Sequence, residues 1–413
     1  MSSSPLLFYK YIVQIMRKIS SFTILNAIQF CAAINENLFK LLSAYFLIYV
    51  LGEKSADSIM EKVGMIFILP FLLFSSLGGI FADRFSKNRM IIITRSLELT
   101  CLLFALFFFT NSLYTSAYIL LFFMATFSAI FGPCKYGIIP ELTAPSKLLY
   151  ANSIIASFTY IGIIIGTALP SLVVWITDNN YKIALLSSVF LAIIGLFLSF
   201  FLPKTPVENK EKTFRIFIYM ELIDGLKQMW KIPSLFSAAF AFSYFLFIGG
   251  FVQLNLIPYS IHILGLSDIA GGYFFLITAL GLGLGSFLTH TISKEKIHLK
   301  FVPFSGMGIS LILCLFIFTA SFWQLVAILL FILGFLGGIL IVPPQAFILF
   351  ASPKEDRGRN FATANFFSFA FALYLLNTLL ALNPAQSFFV IGIVNFVVML
   401  ILLKSINKAK QAA

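Results

Sequence analysis

Charge is scarce in this chain of 413 residues: Asp, Glu, Lys and Arg together make 11%, less than half of the ~25% usual in soluble domains. Three histidines and four cysteines are equally sparse. His262, His290 and His298 fall at predicted helix ends with no ligand spacing. Cys31, Cys101, Cys134 and Cys314 form no CxxC pair and stand near no histidine. This excludes a zinc site or a disulfide framework, so no metal and no cofactor is expected, and the cysteines read as small packing residues. No HxxxxD, DxxD or GxSxG pattern lies in a loop, which argues against an enzyme acting on lipids. What the chain has in excess is apolar surface: 60% hydrophobic residues, 51 phenylalanines and a mean hydropathy of +1.00. A soluble protein could not bury so much, so its solvent is lipid.

Apolar stretches between turn signals predict helices over 22–51, 60–82, 89–111, 114–133, 148–177 and 182–202. After a polar segment they continue over 233–260, 268–291, 299–319, 322–348, 360–382 and 386–403. Twelve spans of ~20 residues account for most of the chain, leaving no room for an appended soluble domain. The basic, then apolar, N-terminus is too long for a signal peptide and reads as an uncleaved first helix. With both termini cytoplasmic, 23 Lys and Arg lie on that side and only Lys54, Lys62 and Lys182 on the other. The net charge of +12 is therefore a topology signal, with a secondary attraction for anionic membrane lipids and no implication of nucleic acid.

The segment 203–231 is the only long charged stretch. It divides the chain into a half at 1–202, a cytoplasmic linker at 203–231 and a half at 232–413. Within it, about 213–230 reads as a short amphipathic helix lying against the membrane. The halves echo each other: Ala151-Asn152 and Ala364-Asn365 both follow charged loops, and those loops follow Pro133 and Pro343-Pro344 at expected helix ends. An all-α membrane protein of twelve helices in two pseudo-symmetric six-helix halves is the architecture of major facilitator transporters. Gly79-Ile-Phe-Ala-Asp83-Arg84-Phe-Ser-Lys87-Asn-Arg89 resembles that superfamily's signature, with Ser86 in place of its second Gly. The resemblance implies a conformational latch between the halves at Gly79, Asp83, Arg84 and Arg89. From charge alone, Asp83 could cap the third helix or pair with loop cations.

An ionisable side chain in mid-bilayer costs ~2.5–3.5 kcal/mol and needs a reason. Asn35-Glu36-Asn37-Leu38-Phe39-Lys40 lies half-way along the first helix, with Glu36 as the one acidic residue expected near mid-bilayer. Glu36 and Lys40 share a helix face; they make either a self-neutralised structural pair or a site for a head group or coupling cation. In the seventh helix, Gln253 and Asn255 could face the first across a cavity or bond to neighbouring helices, and Pro258 could kink the helix for gating. Arg95 and Glu98 read as a structural pair, and Gly162, Gly166, Gly281, Gly283 and Gly285 as close-packing positions.

Four blocks carry a narrower resemblance: INENLFK, GPCKYGIIPELTAPSKLLYAN, GGFVQLNLIPY, and GGILIVPPQAF leading to ATANF. Together they span nearly the whole chain and are similar to the bacterial lysophospholipid transporters, including transporter domains fused to acylglycerophosphoethanolamine acyltransferases. The resemblance implies a monomeric carrier of lysophospholipid, chiefly lysophosphatidylethanolamine, across the bacterial inner membrane by alternating access, with reacylation by a separate acyltransferase chain. The family's usual Asp-Asn is Glu36-Asn37 here, and Gln253 stands where some members carry Arg, leaving Lys40 as the cation in its place. Lys40, Lys135 and Tyr136 are candidate phosphate partners; Asn35, Asn37, Asn152, Gln253, Asn255 and Asn365 complete the candidate binding set. The alternatives are a cation-coupled carrier or exporter of small amphipathic solutes with Glu36 as the coupling carboxylate, and a transport-incompetent scaffold for an acyltransferase.

Overall fold

The computed structural model describes residues 20–52, 56–110, 113–207, 218–266, 268–293, 297–319, 322–379 and 382–411. Those residues are almost wholly helical, because in lipid every backbone N–H and C=O must find its partner within the segment. The first half holds α1 (Ser21–Leu51), α2 (Ala56–Arg84), α3 (Lys87–Thr110), α4 (Thr115–Leu142), α5 (Leu148–Ile176) and α6 (Tyr181–Ser199). A 13-residue helix, α7 (Ile218–Trp230), follows in the linker. The second half holds α8 (Pro233–His262), α9 (Asp268–Ile292), α10 (Phe301–Leu315), α11 (Trp323–Ala351), α12 (Arg357–Leu379) and α13 (Pro384–Gln411). Eleven helices are long and apolar enough to cross a membrane among the described residues. α12, whose side chains beyond 368 lie outside those described, fills the place of the remaining predicted span.

Local chemistry sets the helix ends. The Ser20 hydroxyl accepts from the Thr23 N–H (3.2 Å) at the start of α1, and the Asn180 side chain accepts from the Ile183 N–H (3.3 Å) at the start of α6. The tight turn before α6 places Asp178 and Asn179 at φ 49° and 59°, a region that Asn and Asp tolerate better than most residues.

One helix end differs from the sequence expectation. α4 does not end at Pro133 but runs to Leu142 with Pro133 and Pro140 inside it, whereas Pro343-Pro344 lie inside α11, within the helix expected over 322–348. Pro133 removes the N–H that would bond the Ala129 carbonyl. That carbonyl packs instead against Gly78 of α2, where a Cβ would approach within 2.8 Å. A neighbour that accommodates the freed carbonyl is how a spanning helix tolerates proline. Lys135 and Tyr136 are consequently helical residues, and the α4–α5 turn shrinks to 143–147.

The pseudo-symmetry shows in the packing. α2 lies on α4 in the first half as α9 lies on α11 in the second. The latter pair meets backbone to backbone: Gly281 against the Phe331 carbonyl, Gly285 against that of Phe335, and Gly334 against that of Thr278. Gly162 and Gly166 do the same for α5 on α1. The halves meet along two pseudo-equivalent seams, α2–α12 and α5–α9.

The linker helix differs from a helix simply lying on a membrane. Leu222, Gly225 and Met229 turn inward, and α7 packs on α12, α8 and α2. The bare Gly225 admits Thr363, and Gln228 reaches the acidic start of α12.

Candidate functional site

The polar run of α1 begins at the fifteenth of its 31 residues and fans out at ~100° per residue. Each member meets a different helix. The Asn35 side chain donates to Glu98 Oε1 of α3 (2.6 Å). Glu36 turns to α4, with Ser128 beside it, and Lys40, Lys135 and Arg95 are the cations around it. Asn37 lies against Gly166 of α5 and donates to the Ala33 carbonyl (2.9 Å). The Lys40 ammonium donates to Asn37 Oδ1 (3.0 Å) and sits 4.7 Å above the Phe67 ring of α2. Glu36 and Lys40 are thus electrostatic neighbours, but among the described residues they make no direct ion pair. Their common face is real, yet a shorter-range amide and an aromatic ring hold the ammonium.

Glu36 is not the sole carboxylate at this depth. Glu98, bonded to Asn35, pairs with Arg95 one helical turn before it, and the Arg95 guanidinium stacks 4.2 Å from the Phe131 ring. Arg95 and Glu98 are both buried. The sequence spacing foretold their pairing with each other; it gave no sign that Asn35 joins them, which removes Asn35 from the groups free to meet a ligand.

One helical layer nearer the basic loops, Lys135 lies 4.6 Å over the Tyr136 ring and 5.9 Å from that of Phe131. Tyr136 crosses the gap between the halves: its ring stacks on Phe361 of α12 at 4.3 Å, and its hydroxyl accepts from Gln345 of α11 (3.3 Å). Phe361 in turn meets Phe242 of α8 at 5.3 Å. This aromatic floor closes the inter-half space toward the face carrying the 85–86, 143–147 and 353–356 turns, hereafter the basic face. The Ser157 hydroxyl adds a bond across the second seam, to the Gly283 carbonyl (3.0 Å).

Beneath the floor is the latch. Asp83, fully buried at the end of α2, accepts hydrogen bonds from the backbone N–H groups of Gly358 (2.9 Å) and Arg359 (3.0 Å). It therefore caps α12 in the other half, not the third helix. The first N–H groups of a helix lack internal partners and carry the positive end of its dipole, which suits a carboxylate. Gly79 permits the approach, since a Cβ there would come within 2.9 Å of the Gly358 carbonyl. Arg84 lies 5.9 Å from the Phe85 ring, and Arg89 is exposed on α3. The signature's buried cation is instead Lys87, whose ammonium is 2.5 Å from Glu141 Oε1 of α4. Gly137 makes room for the Lys87 stem, its Cβ position lying 3.2 Å from Cε.

The remaining candidates divide by exposure. Asn152 is fully buried in α5 and donates to the Leu148 carbonyl (2.8 Å); Asn255 is buried in α8 and donates to that of Phe251 (3.0 Å). Each amide spends one N–H on its own helix, and the buried Asn152 Oδ1 has no partner among the described residues. Gln253 is exposed, and Asn365 is half-buried on α12, three residues from Ala362 at the latch. The structure thus brings together Glu36, Lys40, Lys135 and Tyr136 with the previously unmarked Ser128, Phe67, Gln345 and Phe361, and leaves Asn152 and Asn255 aside. Gln345 was hidden within an apolar run and Phe361 in the polar start of α12; only tertiary proximity reveals them.

The model of the Major Facilitator Superfamily matches residues 25–375. A lysophospholipid transporter of Photorhabdus laumondii is 26% identical over 303 residues, which cover 73% of each chain. The corresponding protein of Yersinia enterocolitica is 23% identical over 72% of this chain and 70% of its own. Among solved structures, the transporter FucP in its outward conformation superposes with a TM-score of 0.73 at 15% identity, over 93% of this chain and 97% of the other. A bacterial homologue of the iron transporter ferroportin, outward-facing, gives 0.70 at 13% identity over 95% and 100%. At such identities the structures speak for the fold alone. With twelve helices in two pseudo-symmetric halves, a buried signature carboxylate joining them and a family match over most of its length, this chain belongs to the Major Facilitator Superfamily of membrane transporters.

Proposed function

We propose that this transporter carries lysophospholipids, chiefly lysophosphatidylethanolamine, across the bacterial inner membrane by alternating access. The observation that carries the reading is the polar group amid apolar helices: Glu36 and Lys40 at mid-span and Lys135 one layer nearer the basic face, beside a Glu98 carboxylate already paired with Arg95. A head group of this class pairs an ammonium with a phosphate, and its single acyl tail needs only apolar walls. Glu36 takes the ammonium; Lys40 and Lys135 take the phosphate as point charges. Neither lysine is spent on a carboxylate: Lys40 rests on an amide and a ring, Lys135 on two rings. The named activity of the relatives supports the same substrate class.

In this reading the molecule is closed at the basic face by the Tyr136–Phe361 stack and the Asp83 latch. Substrate binding at the polar layer precedes their release, which opens the site to the other side. The excess of Lys and Arg supports a cytoplasmic basic face and cytoplasmic termini. The units are a half at 1–202, a linker at 203–231 and a half at 232–413, working as a monomer. The carrier does no chemistry itself, so reacylation falls to a separate acyltransferase. Vesicles containing the purified chain and supplied with labelled lysophosphatidylethanolamine test this: protected label that remains lysophosphatidylethanolamine is expected. Uptake no faster than in empty vesicles, or conversion to another lipid, would refute it.

A further inference from the structure

The linker helix presents two faces of different chemistry. Its inner face holds Glu221, Leu222, Gly225 and Met229, all buried. Its outer face is a stripe at helical spacing, Met220, Ile223, Lys227 and Trp230, all exposed, with Trp230 68% exposed. Three large apolar side chains on one stripe are a cost in water that the protein does not need to bear. The stripe is continuous with the lipid-facing surface, because the Trp230 ring meets Phe236, in the first turn of α8, at 4.6 Å. Its exposed charges are basic: Lys227 and Lys231 are exposed at this end of the helix and Lys204 before it, while Asp224 is half-buried at the edge of the stripe and Glu221 is turned inward. Indole at the edge of the hydrocarbon with lysines reaching outward is the composition of a helix lying in a bilayer interface.

The inner face meets the latch. Gln228 donates to Asp356 Oδ2 (2.7 Å) and accepts from Arg359 Nη2 (2.9 Å), and Arg359 also pairs with Asp356 (3.0 Å). The backbone N–H of the same Arg359 is held by Asp83. One helix therefore presents its exposed apolar stripe on one side and meets the start of α12 with the other.

We propose that the outer stripe of α7 docks in the head-group layer of an anionic bilayer, and that this seating braces the N-terminus of α12 in the latched state. Neither part depends on which solute is carried. A lysine near an anionic surface is worth about fivefold in the seating equilibrium, so replacing two removes about 25-fold of it. The test uses the full chain with Trp175→Phe and Trp323→Phe, leaving Trp230 as the only indole. It is placed in bilayers of phosphatidylcholine alone or with three parts in ten phosphatidylglycerol, at low salt. Quenching of Trp230 by lipids brominated near the head group is expected, at least twofold stronger with phosphatidylglycerol. Lys227→Glu with Lys231→Glu should abolish that increment while leaving thermal unfolding in detergent unchanged. Spin labels at Ser146 and Lys354 should report a larger open fraction at the basic face in phosphatidylcholine alone. Quenching by aqueous iodide instead of brominated lipid would overturn the docking. So would protection from both quenchers, which would mean that a protein surface, such as a second copy, covers the stripe. Equal quenching in the two bilayers would overturn the anionic preference, and an open fraction indifferent to lipid charge would overturn the brace.

Discussion

Replacing Asp83 with Asn keeps the shape of the latch and removes its charge. The carboxylate accepts two backbone N–H groups at the start of α12, at 2.9 and 3.0 Å, from a fully buried position. Hydrogen bonds to a charged group contribute about 1.5–3 kcal/mol each. Asparagine keeps one acceptor oxygen, but its NH2 must then oppose the second N–H. The favourable encounter with the helix dipole, up to about 2 kcal/mol in a buried setting, is largely lost as well. A net loss of about 3 kcal/mol follows, roughly a hundredfold in the ratio of closed to open at the basic face. Spin labels at Ser146 and Lys354, exposed on turns of opposite halves, read that ratio as a distance distribution. The four native cysteines are replaced beforehand. Asp83→Asn should convert a short-distance population into a longer one, and binding of the head group to the polar layer should persist. An unchanged distribution, or lost binding with the distances intact, would refute the assignment of Asp83 to the latch.

Gly334→Ala forces a methyl into the Thr278 carbonyl and should cost about 1–3 kcal/mol, seen as a lower melting temperature in detergent. Gly132→Ala, with open space around it, should leave that temperature unchanged or raise it. Arg95→Met or Glu98→Gln alone should each cost about 3–5 kcal/mol by stranding a buried charge, while the double change should cost less than either single change on chemical unfolding. In intact cells an impermeant maleimide should label Asn179→Cys, and label Lys147→Cys only after permeabilisation; labelling of Lys147→Cys and not Asn179→Cys in intact cells would reverse the assigned orientation, and labelling of both would contradict the span of α5.

The course of the backbone was largely legible in the sequence, because lipid imposes a single rule on it: apolar runs of spanning length become helices. The rule misjudged α4 where it relied on proline as a stop. Proline commonly ends a helix through its missing N–H and its ring clash with the preceding turn, whereas α4 continues past Pro133 with the freed Ala129 carbonyl packed on Gly78 of a neighbouring helix. The site was legible to the extent that it is local. The run from Asn35 to Lys40 announces itself as misplaced polarity, and Arg95 with Glu98 announces a pair by spacing. What was not legible is long-range. Asp83 and Gly358 are 275 positions apart, and nothing in either segment names the other. Asn152 and Asn255 illustrate the converse: an amide in an apolar helix can place one N–H on a carbonyl of its own preceding turn, so polarity alone does not mark a ligand.

The assignment of Glu36 to the carried head group is tested most directly by uptake of labelled lysophosphatidylethanolamine in three variants reconstituted at matched folded amounts. Glu36→Gln should abolish uptake, because the amide cannot pair with the substrate ammonium. Glu36→Asp, restoring charge at the usual family residue, should retain it. The double variant Glu36→Gln with Lys40→Met relieves any burden of an uncompensated buried charge and should remain inactive. Uptake restored in the double variant would contradict the account and make Glu36 a residue of structure only.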